Sequence, residues 1–162
     1  MSVLADSGIS IDLPSRWDGQ IRAAGRGHTS HRTTTLAPID ASPTVGSVLH
    51  AASFALPAER GDYGSGAVEV MGGSDILICL LEHEPEAAAT ALFRRKGLPS
   101  LTAGGFSPQS MQRAIAGMSG FQRFFQVAGR PFCLYVIVGN HATRGPLVRT
   151  AAAVIGTIAI TP

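Results

Sequence analysis

The hydrophobic pattern of the chain is organised around one stretch, Phe121 to Pro162. Phe121-Gln-Arg-Phe-Phe-Gln-Val127 is followed by Ala128-Gly129-Arg130, and then by Pro131-Phe-Cys-Leu-Tyr-Val-Ile-Val138. This reads as two antiparallel strands about a turn. The second carries Phe132, Leu134, Val136 and Val138 on one face and Cys133, Tyr135 and Ile137 on the other. A strand apolar on both sides must be covered on both sides, which places it inside a sheet. After a polar break at 139–146, Leu147, Ala151, Val154 and Ile158 recur at helical spacing, and the segment Leu147 to Ile160 predicts a closing helix begun by Pro146.

Earlier in the chain, Gly8-Ile-Ser-Ile-Asp-Leu13 alternates with Ile9, Ile11 and Leu13 on one face, and Pro14 ends the pattern. Further strands are expected at Gln20–Ala24, at Leu49–Leu56, and at Asp75–His83, where Ile76 to Leu81 is unbroken by polarity. Ala67–Met71 suggests a short strand or sheet edge. Two more helices are predicted. One opens at Pro85 with Glu84 and Glu86 near its positive end, and closes on Arg94-Arg95-Lys96 before Gly97. The other starts at Ser107-Pro108 and spaces Met111, Ile115 and Met118 by four and three. Between them these elements predict an α+β domain over residues 1–162, an antiparallel sheet with an amphipathic C-terminal helix packed on one face. A polar loop at about 25–44 interrupts it, and the alternative is a ferredoxin-like two-layer arrangement.

Composition narrows this picture. At 162 residues, 45% hydrophobic and 15% charged, the chain can bury a real core. Of 13 basic residues Lys96 is the one lysine, leaving twelve arginines that are scattered apart from Arg94-Arg95-Lys96. No basic stripe suited to nucleic acid results. The start lacks the charged and apolar regions of a signal peptide, and the longest apolar run is shorter than the ~20 residues a membrane span needs. The cytoplasm is therefore the expected location, and Cys79 and Cys133, both inside apolar strands, are expected as reduced, buried thiols.

The opening strand that runs through Leu13-Pro14 to Trp17, the paired middle strands, the late hairpin and the closing helix together resemble the Mog1/PsbP-like fold, including bacterial (actinobacterial-type) domains of that build. The resemblance covers most of the chain in layout and Leu13, Pro14 and Trp17 in motif. It implies an antiparallel sheet under a last helix, and a role in binding: members include a Ran-binding protein, a photosystem II extrinsic subunit, lipoproteins and secretion-effector chaperones. The chain departs from the lipoproteins in having no lipobox cysteine, and no family binding residue maps onto a numbered position here.

His28 and His31, with Glu82-His83-Glu84 as a source of a further ligand, are the candidate metal ligands, set against exposed loop histidines. Gly64-Ser65-Gly66 and Met118-Ser119-Gly120 lack the Gly-x-Ser-x-Gly spacing of a nucleophile elbow. Gly61-Asp-Tyr-Gly64-Ser-Gly66 has neither the lysine of a phosphate loop nor a following helix. No cofactor is expected. Trp17, Phe121, Arg123 and Phe125 are the candidate binding residues, because aromatic rings beside arginine anchor interfaces, and core packing competes for the same rings. The expectation is a non-catalytic protein-binding or scaffolding domain with a protein partner, homodimer included. The alternative is a small-ligand carrier or small metal-dependent enzyme using the loop with His28, His31 and Arg32.

Overall fold

The computed structural model describes residues 1–23 and 46–162. The expected polar loop at 25–44 lies outside them. Among the described residues the chain forms β1 (Ser2–Asp6), β2 (Ile9–Leu13), β3 (Asp18–Arg22), β4 (Val48–Ala52), β5 (Ile76–Glu82), β6 (Ser119–Val127), β7 (Arg130–Val138), the helix α1 (Arg144–Ile155) and β8 (Ala159–Ile160). All strand pairings are antiparallel. They make two sheets, in the orders β1-β2-β8 and β3-β4-β5-β7-β6, so the fold is mixed α+β with one helix among the described residues.

The late hairpin forms where the pattern put it, and β7 lies between β5 and β6 as its two apolar faces require. Its turn is Ala128-Gly129, with φ of 54° and 74° and Val127 paired to Arg130. Two positive φ values in a two-residue loop make a type I′ turn, whose twist matches that of paired strands. Ser7-Gly8 repeats the device between β1 and β2, with φ of 53° and 76°. Alanine enters the left-handed region at a cost that asparagine largely avoids, and Asn-Gly is a favoured pair for this turn. Ala128→Asn is therefore expected to stabilise the protein by about 0.5–1 kcal/mol, read as a higher urea midpoint at constant slope. A midpoint that stays put would mean the turn holds no strain.

The five-stranded sheet is buried on both faces, by different means. Against one face, Leu49, Ile78, Leu80, Phe125 and Leu134 meet the inward side chains of β2 (Ile9, Ile11, Leu13) and of α1 (Val148, Ala151, Val154, Ile155) in the larger core. On the opposite face Val48, Leu77, Cys79, Leu81, Tyr135 and Ile137 are roofed by irregular chain that brings in Ala67, Val68, Met71 and Met118.

Several expectations are corrected. The sheet is not single: the Ile9–Leu13 strand belongs to a separate three-stranded sheet, completed by β1 and β8. The closing helix runs from Arg144 to Ile155 and not to Ile160; Gly156 caps it by donating its N–H to Ala152 O, and Ala159–Ile160 becomes a strand beside β2. Val148 and Ile155 take the buried positions assigned to Leu147 and Ile158, although Ile158 is still buried beyond the helix end. Ala67–Met71 holds a 3-10 turn at Val68–Val70 in place of a strand.

The two middle helices are absent for a shared reason. Pro85–Ala89 and Ala91–Phe93 form 3-10 turns broken at extended Thr90. The Gln126 side-chain amide donates to the carbonyls of Ala88 and Phe93, while Gln126 N–H donates to Arg95 O and Gly97 N–H to Gln126 O. Ser107 and Gly120 likewise exchange both backbone bonds, after which only Pro108–Ser110 makes a 3-10 turn. Carbonyls and N–H groups that would close helical turns are spent covering the open edge of β6, a liability any sheet must manage. Tertiary pairing has overridden local propensity.

Candidate functional site

The second face of the larger sheet is where polar chemistry collects. Alternation along β4 puts Leu49 and Ala51 into the larger core and turns Val48, His50 and Ala52 to the other side. His50 is 1% exposed. Its Nε2 lies 2.7 Å from Asp62 O and its Nδ1 lies 2.8 Å from Arg60 Nε. Arginine donates only, so Nδ1 accepts, and the ring is neutral with its proton on Nε2, donated to the Asp62 carbonyl. Arg60 also donates to Pro57 O and to Gln20 Oε1, and Arg22 pairs with Asp62 at 2.9 Å. Burial, outweighing the Asp62 hydrogen bond and reinforced by the two nearby guanidiniums, pulls His50 down to about 4. The network fastens the 57–62 segment to β3 and β4.

Further along this face lie the thiols. Cys79 pairs with Tyr135 in register and Cys133 with Leu81, so the two cysteines stand diagonally on neighbouring strands, both free and buried. Burial raises Cys133 to about 11 and Cys79 beyond that range. Thiols held protonated are poor nucleophiles and poor metal ligands. The Tyr63 ring meets that of Tyr135 edge to face, centroids 5.7 Å apart, and Cys133 Sγ accepts the Gln122 side-chain amide at 3.5 Å. Next to this ring pair is a cavity of 130 Å³, walled by Tyr63, Tyr135, Val68 and Ile115, with Glu69 and Arg113 at its rim.

A different feature stands at the far side of the molecule. β1 is an outer strand of the three-stranded sheet. The two-residue turn makes Asp6 and Ile9 a hydrogen-bonded pair, so the alternating ladder points the backbone groups of Ser2, Leu4 and Asp6 toward β2. Those of Val3 and Ala5 point outward, and no hydrogen bond joins them to another described residue on that side. Val3 is 71% exposed, and Leu4 is half-buried on the core.

The residues singled out from sequence are not assembled into one place. Phe121 and Phe125 are core residues, stacked on Phe106 and Phe132 respectively. Trp17 is half-buried against the same core. Arg123 is exposed, with its guanidinium 5.1 Å from the Phe121 ring centroid. His28, His31 and Arg32 lie outside the described residues. Glu82-His83-Glu84 does not act as a unit: Glu82 takes a bidentate pair from Arg130 at 2.7 and 2.9 Å, while the His83 ring packs against Phe93 and Phe124. Among the described residues no three His, Cys, Asp or Glu side chains converge to hold a metal, and no helix is long and apolar enough to cross a membrane. His50, Tyr63 and Tyr135 were missed as site candidates; the available signal was a histidine and a tyrosine inside otherwise apolar strands. Compared with protein-family models, with curated proteins and with solved structures, the chain matches none.

Proposed function

We propose that this chain is a non-catalytic protein-binding domain of the Mog1/PsbP-like build, and that it pairs with a second copy of itself along the outer edge of β1. The observation that carries the reading is that edge: a strand whose outward N–H and C=O groups at Val3 and Ala5 have no partner among the described residues. Unpaired strand edges take up further strands, the basis of β-augmentation. The fold assignment draws its support from layout, with an early strand running into Pro14 and Trp17 and a late hairpin before a helix docked on an antiparallel sheet.

The choice of a second copy follows from the pattern of β1. Ser2-Val-Leu-Ala-Asp6 has three apolar residues between two polar ones, so an antiparallel pairing centred on Leu4 sets Val3 opposite Ala5 of the other copy. Both are outward-bonding positions, so each of the two Val3–Ala5 pairs closes two hydrogen bonds. The titratable groups of the second face are meanwhile tied up in holding loops to the sheet, which suits a binding role better than a catalytic one.

Ala5→Pro is the direct test, since it deletes an outward N–H and leaves the β1–β2 ladder whole; proline is accepted on sheet edges for this reason. In sedimentation at up to about 1 mM the native chain is expected to dimerise weakly, as small interfaces do, and the variant to stay monomeric with a similar melting temperature. Val3→Lys, which sets cations near one another across the pair, should act likewise. A native chain that remains monomeric throughout, or an Ala5→Pro variant that dimerises equally well, refutes the β1 edge.

A further inference from the structure

We infer that the cavity between Tyr63 and Tyr135 is a binding site for a small uncharged molecule, about one ring in bulk, that carries a single hydrogen-bond acceptor. This site lies on the second face of the five-stranded sheet, away from β1, and stands or falls separately from the dimer.

Size and lining set the first half of the inference. The cavity measures 130 Å³, and an apolar cavity of about 150 Å³ in a well-packed protein takes up benzene. The two tyrosine rings, Val68 and Ile115 make its apolar walls, and Ser65 and Gln112 are the neutral polar residues beside them. A charged ligand would have to shed its hydration against the same apolar walls, at a cost the site does not offset. Arg113 and Glu69, which also line it, are 3.5 Å apart with side chains 79% and 41% exposed, so the cavity reaches solvent on their side. Exposed ion pairs of this kind are weak and open readily.

The acceptor follows from Tyr135. It is 1% exposed, and its hydroxyl oxygen accepts the Gln112 N–H at 2.7 Å. Among the described residues nothing accepts the proton of that hydroxyl. Buried donors are almost always matched, and one that is not, in the wall of a void, points to what the void accommodates. Burial raises Tyr135 to about 12, so the hydroxyl keeps its proton throughout the neutral range.

Benzonitrile and toluene separate the two halves of this inference, being alike in bulk while only the nitrile accepts a hydrogen bond. The full chain would be titrated with each while the methyl resonances of Val68 and Ile115 are followed. Both probes are expected to give saturable shifts there. In Tyr135→Phe the preference for benzonitrile over toluene should fall by about 3- to 30-fold, the worth of one hydrogen bond to an otherwise unmatched donor. Comparing the ratio between proteins removes the difference in hydration of the two probes. Ile115→Trp, at a half-buried loop position, should fill the cavity and abolish both titrations. No saturable shift with either probe up to its solubility limit overturns the site. Saturable binding whose nitrile preference survives Tyr135→Phe overturns the role given to Tyr135. Should Tyr135→Phe not fold, titrations that Ile115→Trp leaves unchanged overturn the site equally well.

Discussion

Leu134→Asp is expected to yield no cooperatively folded protein. Leu134 is fully buried at the centre of β7, paired with Leu80 on one side and Arg123 on the other, and it faces the larger core. A carboxylate there would leave water for a wall of aliphatic and aromatic carbon, and the cross-strand cation, Arg123, is exposed with its guanidinium held over the Phe121 ring. Burying an unpaired charge costs several kcal/mol even after relaxation, against a total stability of ~5–15 kcal/mol for a domain of this size. The lost packing of the leucine adds about 2–5 kcal/mol, the usual range for truncating a buried leucine. Leu134→Ala isolates that second part and should leave a folded but destabilised protein. Near-ultraviolet circular dichroism and urea melts distinguish the two variants. An aspartate variant that melts sharply near the native midpoint would mean that β7 is not enclosed as described.

What made β7 legible in the sequence is the same property that makes it intolerant. Apolar residues on both faces have one satisfactory environment, the inside of a sheet, so periodicity alone was decisive for β5 and β7. Ile9, Ile11 and Leu13 announced β2 equally well, because an alternating strand has one face to bury. The partners of β2 were not legible. Ser2–Asp6 is largely exposed and carries no alternation, and Ala159–Ile160 sat inside a helical pattern that Gly156 cuts short. The 85–96 and 107–118 segments carry good helix signals and yet form none. Their fate is decided by Gln126 and Gly120, which lie on a strand far along the chain and claim their backbone groups. Local patterns cannot encode a competitor that arrives only when the sheet does.

The candidate site was harder still to read, since its parts become neighbours only through strand order. Tyr63 sits in a glycine-rich loop that looked like a plain turn. Tyr135 looked like one more large apolar residue in a buried strand. They touch because Gly64 runs against the sheet so closely that a Cβ there would come within 2.5 Å of Leu77 Cδ2, which lays the loop flat on the second face. Phe121 and Phe125 show the opposite case: rings that suited an interface by type were drawn into the core by the alternation of β6. Side-chain chemistry nominated residues, and the register of the strands decided which of them could meet.

Acidification is expected to cost the protein about 3 kcal/mol between pH 6.5 and 4, through His50 alone. The ordinary value is 6.5 and the folded value about 4, so over that interval the unfolded chain binds a proton that the native ring refuses. Stability therefore falls as pH falls, by ~1.4 kcal/mol for each unit separating the two values, and His50 contributes no further loss below about 4. The refusal has a structural cause. Protonating Nδ1 would turn an acceptor into a donor facing Arg60, with Arg22 adding a second positive charge nearby, and the depth of the site keeps water from screening them. His83, whose ring is partly buried against Phe93 and Phe124, is shifted down by burial and adds to the same slope. Glu82 acts in a lower window. Burial opposes its ionisation, but the Arg130 and Ser47 hydrogen bonds prevail and hold it below 4.5, so its contribution is present above that value and is lost as pH falls through the folded one. His50→Gln separates these effects, because an amide retains a donor for Asp62 O and an acceptor for Arg60 without titrating. Urea melts at intervals from pH 7.5 to 3.5 should show the steep native slope between 6.5 and 4 reduced in the variant to the part that His83 supplies, with the loss below 4.5 intact. A native profile that is flat from 6.5 to 4 would require His50 to reach water, and would undo the network that pins the 57–62 segment to the sheet.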